Sequence, residues 1–254
     1  MSAGSDNILF EYLLRLGDNC LILSQRLSEW CGHGPVLEED IALTNVALDL
    51  LGQARLWLSY AGEVEGRGRG EDDLAFLRDA REFRNVLLVE QSNADYAFTT
   101  ARQFYFDVWH SLALSELMRS ADIRVAEIAE KAAKEVTYHL QRSSEWVIRL
   151  GDGTEESRHR MQTAVDALWS YTGELFEMDE MDRSARERGL GPDWSALRER
   201  WMQYVARTFA EATLEIPQGT WMQRGGRHGV HSERLGYILA EMQFLQRAYP
   251  GAKW

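Results

Sequence analysis

The chain has 254 residues, 45% of them hydrophobic, so burial of apolar surface can drive folding without disulfides or a structural metal. Its formal net charge of −12 disfavours nucleic-acid binding, because phosphate recognition needs a basic face. Its two cysteines, Cys20 and Cys31, fit neither a zinc site nor a disulfide framework. With no basic leader and no run of 18 uncharged apolar residues, we expect a cytoplasmic protein without a membrane span.

Long helices are predicted because the chain has only four prolines and none between positions 36 and 191. We predict one all-α domain over residues 1–254, with Thr154 capping one helix and Asp193 or Ser195 another. The second helix is apolar on most sides, which places it at the bundle centre. A charged connector is expected at 178–191, and a last helix opens at Ser232 and Glu233. The other predicted helices are 7–30, 38–60, 71–84, 93–118, 123–150 and 154–176.

One polar stripe interrupts the apolar second helix. Asn45, Asp49, Gly52 and Gln53 are spaced i, i+4, i+7 and i+8, so they share a face. In di-iron carboxylate bundles such a face carries Glu-x-x-His, whose two side chains bind metal. Here Asp49 and Gly52 hold those positions, so the carboxylate is shorter and the imidazole is missing. From spacing alone, a buried helix with one satisfied Asp is the simpler interpretation.

Three further helices carry acids at comparable places. Glu29 lies near the end of the first helix, and the third offers Asp107 or Glu116, with His110 one turn beyond Asp107. In the fourth, Glu135-x-x-Tyr138 puts a phenol where imidazole belongs, and His139 is displaced by one residue, about 100° around the helix. We therefore predict a relic, metal-free polar site in the bundle interior, formed by Glu29, Asn45, Asp49, Gly52, Asp107, Glu135, Tyr138 and His139.

No catalytic residue and no metal ligand are assigned in the predicted polar site. Two arrangements of its residues stay open. Glu135 and His139, at i and i+4, could share a face and hold a distorted one-metal site. The favoured arrangement has Asp49, Glu135, His139 and Arg142 satisfying one another, because an isolated buried carboxylate is costly.

A basic loop near the C-terminal end is a second candidate site. Arg224, Arg227 and His228 are concentrated there beside Trp221, and they could meet an anionic ligand or a partner. A solvated loop is the simpler interpretation.

Long stretches of the chain resemble the PaaC family, the structural, non-catalytic subunits of phenylacetyl-CoA epoxidase complexes. The strings that carry the resemblance extend from about Leu13 onward: LGDNCLILSQRLSEWCGHGPVLEEDIALTNVALDLLGQARL, EDDLAFLRDAREFRNVLLVEQ, KEVTYHLQRSSEWVIRLGDGTEES and GVHSERLGYILAEMQFLQRAYPG. The resemblance implies a ferritin-like helical bundle with additional C-terminal helices and without a di-iron centre. It supplies no catalytic residue for this chain.

The resemblance also implies partners and a reaction. The partners are the di-iron catalytic subunit PaaA, the subunit PaaB, and the reductase PaaE with FAD and an iron–sulfur cluster. The complex uses O₂ to epoxidise the ring of phenylacetyl-CoA in aerobic phenylacetate breakdown. We expect a hetero-oligomer, with a homodimer when the chain is alone. Two other classes remain open: an independent metal-dependent oxygenase or ferroxidase with an irregular site, and a stand-alone CoA-thioester-binding helical module.

Overall fold

The structure is a computed structural model, and it describes residues 3–219 and 221–252, with side chains from residue 7. Every regular element in these ranges is helical, which confirms the predicted all-α class. Short 3₁₀ turns lie at Ala80–Glu82, Gly173–Phe176, Trp194–Ala196 and Gly226–His228. The α-helices are α1 (Ala3–Ser28), α2 (Leu37–Glu65), α3 (Glu71–Phe76), α4 (Tyr96–Leu117), α5 (Ile123–Gly151), α6 (Glu155–Trp169), α7 (Glu180–Glu187), α8 (Leu197–Glu211), α9 (Glu233–Met242) and α10 (Phe244–Ala248).

The predicted cap Thr154 starts α6, whereas Asp193, one of the two caps predicted for α8, starts the 3₁₀ turn before it. The Thr154 side chain accepts a hydrogen bond from the backbone N of Ser157 at 3.1 Å, which caps α6. Asp193 accepts from the backbone N of Ser195 and opens the 3₁₀ turn that leads into α8. Both caps depend on residues two or three positions apart, which is why sequence alone finds them.

Several predicted bounds were wrong. The segment predicted as helix 71–84 is helical only to Phe76, and α6 ends at Trp169, well before residue 176. The connector 178–191 contains α7, which Asp179 caps through the backbone N of Asp182 at 2.9 Å. Each of these ends is set by turn and loop contacts that helical periodicity does not contain.

The chain divides into two compact units, which are described separately. The first comprises residues 3–90 and 225–252, where α1 packs against α2 and α9, and α9 packs against α10. The second comprises residues 91–224 apart from residue 220, where α4 packs against α5, α6 and α8. The predicted single domain over 1–254 stays a prediction, and its residues 1, 2, 220, 253 and 254 lie outside the described ones.

In the first unit, the irregular segment between α3 and α4 is fixed to α1 by polar contacts. The guanidinium of Arg78 pairs with both carboxylate oxygens of buried Asp18, and the backbone N of Arg84 donates to Asp18 Oδ2 at 2.8 Å. Asn19 Oδ1 accepts from the backbone N of Val86 at 2.8 Å. These two α1 side chains therefore hold a stretch that has few backbone hydrogen bonds of its own.

The second unit has an aromatic core. Trp201 of α8 lies with its ring centroid 5.6 Å from that of Tyr105 and 5.7 Å from that of Trp169. Its indole Nε1 donates to the Tyr105 carbonyl at 3.0 Å, so the polar atom of this buried ring is satisfied. The core thus joins α4, α6 and α8.

No helix among the described residues is long and apolar enough to cross a membrane.

Candidate functional site

The polar stripe of α2 does not form one buried face. Asn45 and Gly52 are exposed, Asp49 is half-buried, and Gln53 alone is buried, where its Oε1 lies 3.8 Å from the Cys20 thiol. The placement of α2 at the bundle centre was wrong, because Leu48 and its apolar neighbours on this face are exposed. A helix that is apolar on most sides can still leave one of those sides uncovered by the rest of its own chain.

Glu29 lies at the surface beyond the end of α1. Its Oε1 accepts a hydrogen bond from Arg26 Nη1 at 2.7 Å. A surface carboxylate paired with an arginine three residues earlier in the chain does not need a metal for its charge to be compensated.

The second unit does bring predicted residues together. Asp107 of α4 is fully buried, and its Oδ1 accepts from Gln103 Nε2 at 2.7 Å. His139 of α5 is buried and interacts electrostatically with Asp107. Glu135 is half-buried, whereas Tyr138 is 48% exposed. The one-residue displacement of His139 from the expected ligand position therefore turns the imidazole into the interior.

Three further side chains belong to this cluster. Ser143 and Arg142 of α5 lie near Asp107, and Arg142 Nη2 donates to the Tyr96 hydroxyl at 3.0 Å. His110, one turn beyond Asp107, is buried among aromatic rings. We define the buried cluster as Gln103, Asp107, His110, His139, Arg142 and Ser143.

Burial shifts the two acid–base groups of the buried cluster in opposite directions. Desolvation raises the pKa of Asp107 to about 6, although His139, Ser143, Gln103 and Arg142 each oppose the shift. Desolvation, together with the electrostatic effect of nearby His139, lowers the pKa of His110 to about 3. The cluster therefore favours a neutral imidazole at His110 and makes ionised Asp107 costly.

These residues do not fit a di-iron centre. Gly52 has no side chain to offer, and Tyr138 lies at the surface. Among the side chains of residues 7–219 and 221–252, no three from His, Cys, Asp or Glu are placed to hold a metal ion. Glu135 and His139 therefore have no third ligand of these types among the described side chains.

The shifted pKa values in the buried cluster predict how the free energy of unfolding depends on pH, and single variants should reveal this dependence. Because Asp107 binds its proton more tightly when folded, its contribution to stability is present below about pH 4 and lost as pH rises through 6. Because His110 binds its proton less tightly when folded, its contribution is present above about pH 6.5 and lost as pH falls toward 3. Between pH 4 and 6 the two slopes cancel in the wild-type protein.

Asp107→Asn should therefore lose about 2–3 kcal/mol of unfolding free energy between pH 6 and pH 4, relative to wild type, because His110 then acts alone. His110→Gln should gain a similar amount over the same interval. Urea unfolding at pH 4, 5 and 6 measures both, and parallel profiles for the two variants would contradict the opposed shifts.

In the first unit, the structure shows a buried pair that the sequence analysis missed. His231 Nδ1 lies 2.8 Å from Glu90 Oε2, and His231 Nε2 lies 3.1 Å from the Phe83 carbonyl. The backbone N of Ser232 donates to Glu90 Oε1 at 2.7 Å, and Asn85 Nδ2 donates to Oε2 at 3.1 Å. Nε2 must carry a proton because a carbonyl only accepts. The sequence signal that could have revealed this pair was the acid Glu90 at the end of the apolar string VLLVE.

The basic loop is divided between the two units. In the second unit Arg224 is exposed; in the first, Arg227 is buried and His228 is exposed. A Cβ on Gly226 would lie 2.3 Å from the Asn85 carbonyl, so glycine is required there. The solvated-loop interpretation is wrong for Arg227, and a ligand or partner role for Arg224, Arg227 and His228 stays a prediction.

The fold and the buried cluster define an all-α protein whose carboxylate–histidine pattern is incomplete for a di-iron centre. Comparison with known proteins identifies the family to which it belongs. Residues 1–254 match the family PaaA_PaaC, described as phenylacetic acid catabolic protein, and the chain belongs to this family. Its sequence is 53% identical over 248 residues to a subunit of the 1,2-phenylacetyl-CoA epoxidase of Escherichia coli strain K12. That alignment covers 98% of this chain and 100% of the relative. The resemblance found in the sequence is confirmed.

Proposed function

We propose that the chain is the non-catalytic structural subunit of a phenylacetyl-CoA epoxidase and acts in the cytoplasm during aerobic phenylacetate breakdown. The observation that carries this is the 53% identity to the Escherichia coli epoxidase subunit over essentially both full chains. In the proposed reaction, one oxygen atom of O₂ enters the ring and the other leaves as water. NADPH supplies the two electrons through the reductase PaaE, with its FAD and iron–sulfur cluster, and PaaA holds the di-iron centre; PaaB completes the complex.

The contribution of this chain would be structural. A rigid helical surface can hold a catalytic bundle in its active shape by burying a large interface. We further propose that Asp107 and His139 descend from a metal-ligand shell, since they are buried together where di-iron bundles place ligands on facing helices. The surface positions of Glu29, Asn45, Gly52 and Tyr138 give no support to including those four.

We expect PaaA, PaaB and PaaE to epoxidise phenylacetyl-CoA with O₂ and NADPH only when this chain is present, because PaaA alone lacks the surface that supports it. The measurements are product formation with and without the chain, and iron content of each purified subunit. We expect far less than one iron per copy of this chain. Equal epoxidation without the chain would refute the structural role, and about two irons per copy would favour the independent oxygenase or ferroxidase.

A further inference from the structure

Helix α2 exposes an apolar stripe along its N-terminal half. Leu37 is 72% exposed and Leu48 is 59% exposed, and Ile41 and Leu51 are exposed beside them. Their positions, 37, 41, 48 and 51, follow the helical period and therefore lie on one face. Scattered exposed leucines are ordinary, but a row of four large apolar side chains along one helix face marks an interaction surface.

The stripe continues into a groove. The groove has a volume of about 560 Å³ and lies between α2, α1 and α3. Its polar margin includes Arg55, Glu71 and Asp72. This volume is sufficient for large apolar side chains, and the apolar lining comes from Leu21, Leu48, Leu51, Leu58, Ala75 and Phe76.

Gly52 lies inside α2 at the edge of this groove. Glycine in a helix interior destabilises the helix relative to alanine, so its presence needs a reason. Apart from Gly52 itself, its two chain neighbours and the adjacent backbone of α2, no described atom lies within 4 Å of the position that a Cβ on Gly52 would take, and its φ is not in the left-handed region. Packing within this chain therefore does not require glycine there, whereas close approach of another chain to the α2 backbone would.

The charges around the stripe select the kind of partner. Residues 36–62 contain four acids and one base, and α3 begins with three further acids. The one base, Arg55, already donates to Glu71 Oε1 at 3.3 Å. A second copy of this chain would bring the same acids against these, so a partner with basic side chains fits better.

We propose that the stripe of Leu37, Ile41, Leu48 and Leu51, with the groove beside Gly52, binds an apolar helix of the catalytic subunit PaaA. The docked helix carries Lys or Arg on either side of its apolar row, and its backbone passes close to Gly52. The assignment of the partner rests on the proposed function. It adds the face of this chain at which the two subunits meet.

The test measures binding of PaaA to variants of the full chain. Leu48→Arg and Leu51→Arg should each raise the Kd for PaaA at least about tenfold. The reason is that a buried arginine replaces a docked leucine and repels a basic partner. Ile123→Arg is the matched control, since Ile123 is 75% exposed on the second unit and lies outside the stripe. It should bind as wild type does. Circular dichroism of each variant alone should be unchanged, because all three positions are exposed.

Substitutions at Gly52 and at an acid beside the groove provide two further, independent tests. Gly52→Trp should weaken binding at least about tenfold while the isolated variant keeps its helical content, because the side chain fills the groove and not the core. Asp72→Lys should weaken binding several-fold and reduce its dependence on salt, whereas Glu187→Lys, an exposed acid on α7, should change neither.

The outcomes separate this proposal from the proposed function. If wild-type chain does not bind PaaA, the structural-subunit function fails. If wild type binds and Leu48→Arg, Leu51→Arg and Gly52→Trp bind equally well, the function stands and the docking face is wrong. If these variants only dissociate a homodimer of this chain and leave PaaA binding intact, the face joins two copies and the proposal is overturned.

Discussion

Asp18→Ala is expected to lower the free energy of unfolding by about 3–5 kcal/mol, the cost of removing one partner of a buried ion pair. Asp18 is fully buried and Arg78 almost fully, and the carboxylate also accepts from the backbone N of Arg84. Without it, Arg78 keeps its charge in the interior, although its Nη1 still donates to the Glu82 carbonyl at 3.0 Å. Leaving that charge unpaired is the largest part of the cost.

Urea unfolding measures this loss, and hydrogen exchange of peptides from α1 and residues 76–90 locates it in the first unit. Glu116→Ala is the matched control, because it removes an acid that pairs with two exposed arginines, Arg119 and Arg200. Exposed pairs contribute at most about 1 kcal/mol. If Asp18→Ala costs no more than Glu116→Ala, water reaches Arg78 and the pair does not hold the segment.

Trp201→Ala is expected to cost about 3–5 kcal/mol through the cavity it leaves in the second unit. The ring is fully buried and contacts Tyr105, Trp169 and Phe176, whose ring centroid is 5.3 Å away. Trp201→Phe should cost less, because most of the volume stays filled while the hydrogen bond to the Tyr105 carbonyl is lost.

Trp221→Ala provides the control for this change, since its ring is 70% exposed, and we expect a shift within about 0.5 kcal/mol. The readout is urea unfolding followed by circular dichroism, with hydrogen exchange of α4 and α8 peptides. Similar losses for Trp201→Ala and Trp221→Ala would mean that the aromatic core does not stabilise the second unit.

The sequence by itself determined the all-α class, the family resemblance and the local ends of several helices. Thr154 was identified as a cap, and Asp193 as one of two candidates for another, because a cap is a hydrogen bond over two or three residues, and such a contact is present in the sequence spacing itself. The missing imidazole at Gly52 was equally visible, because a ligand motif on one helix is also local.

Tertiary structure alone decided which of these side chains are interior. Helical spacing separates Tyr138 from His139 by about 100°, but packing of α5 on α4 decided that His139 is buried and Tyr138 exposed. The exposed leucines of α2 read in sequence like core residues, because an apolar side chain does not record what covers it. Glu90 and His231 are 141 residues apart, and only the folded chain brings them within 2.8 Å, because contacts at such separation leave no periodic signal.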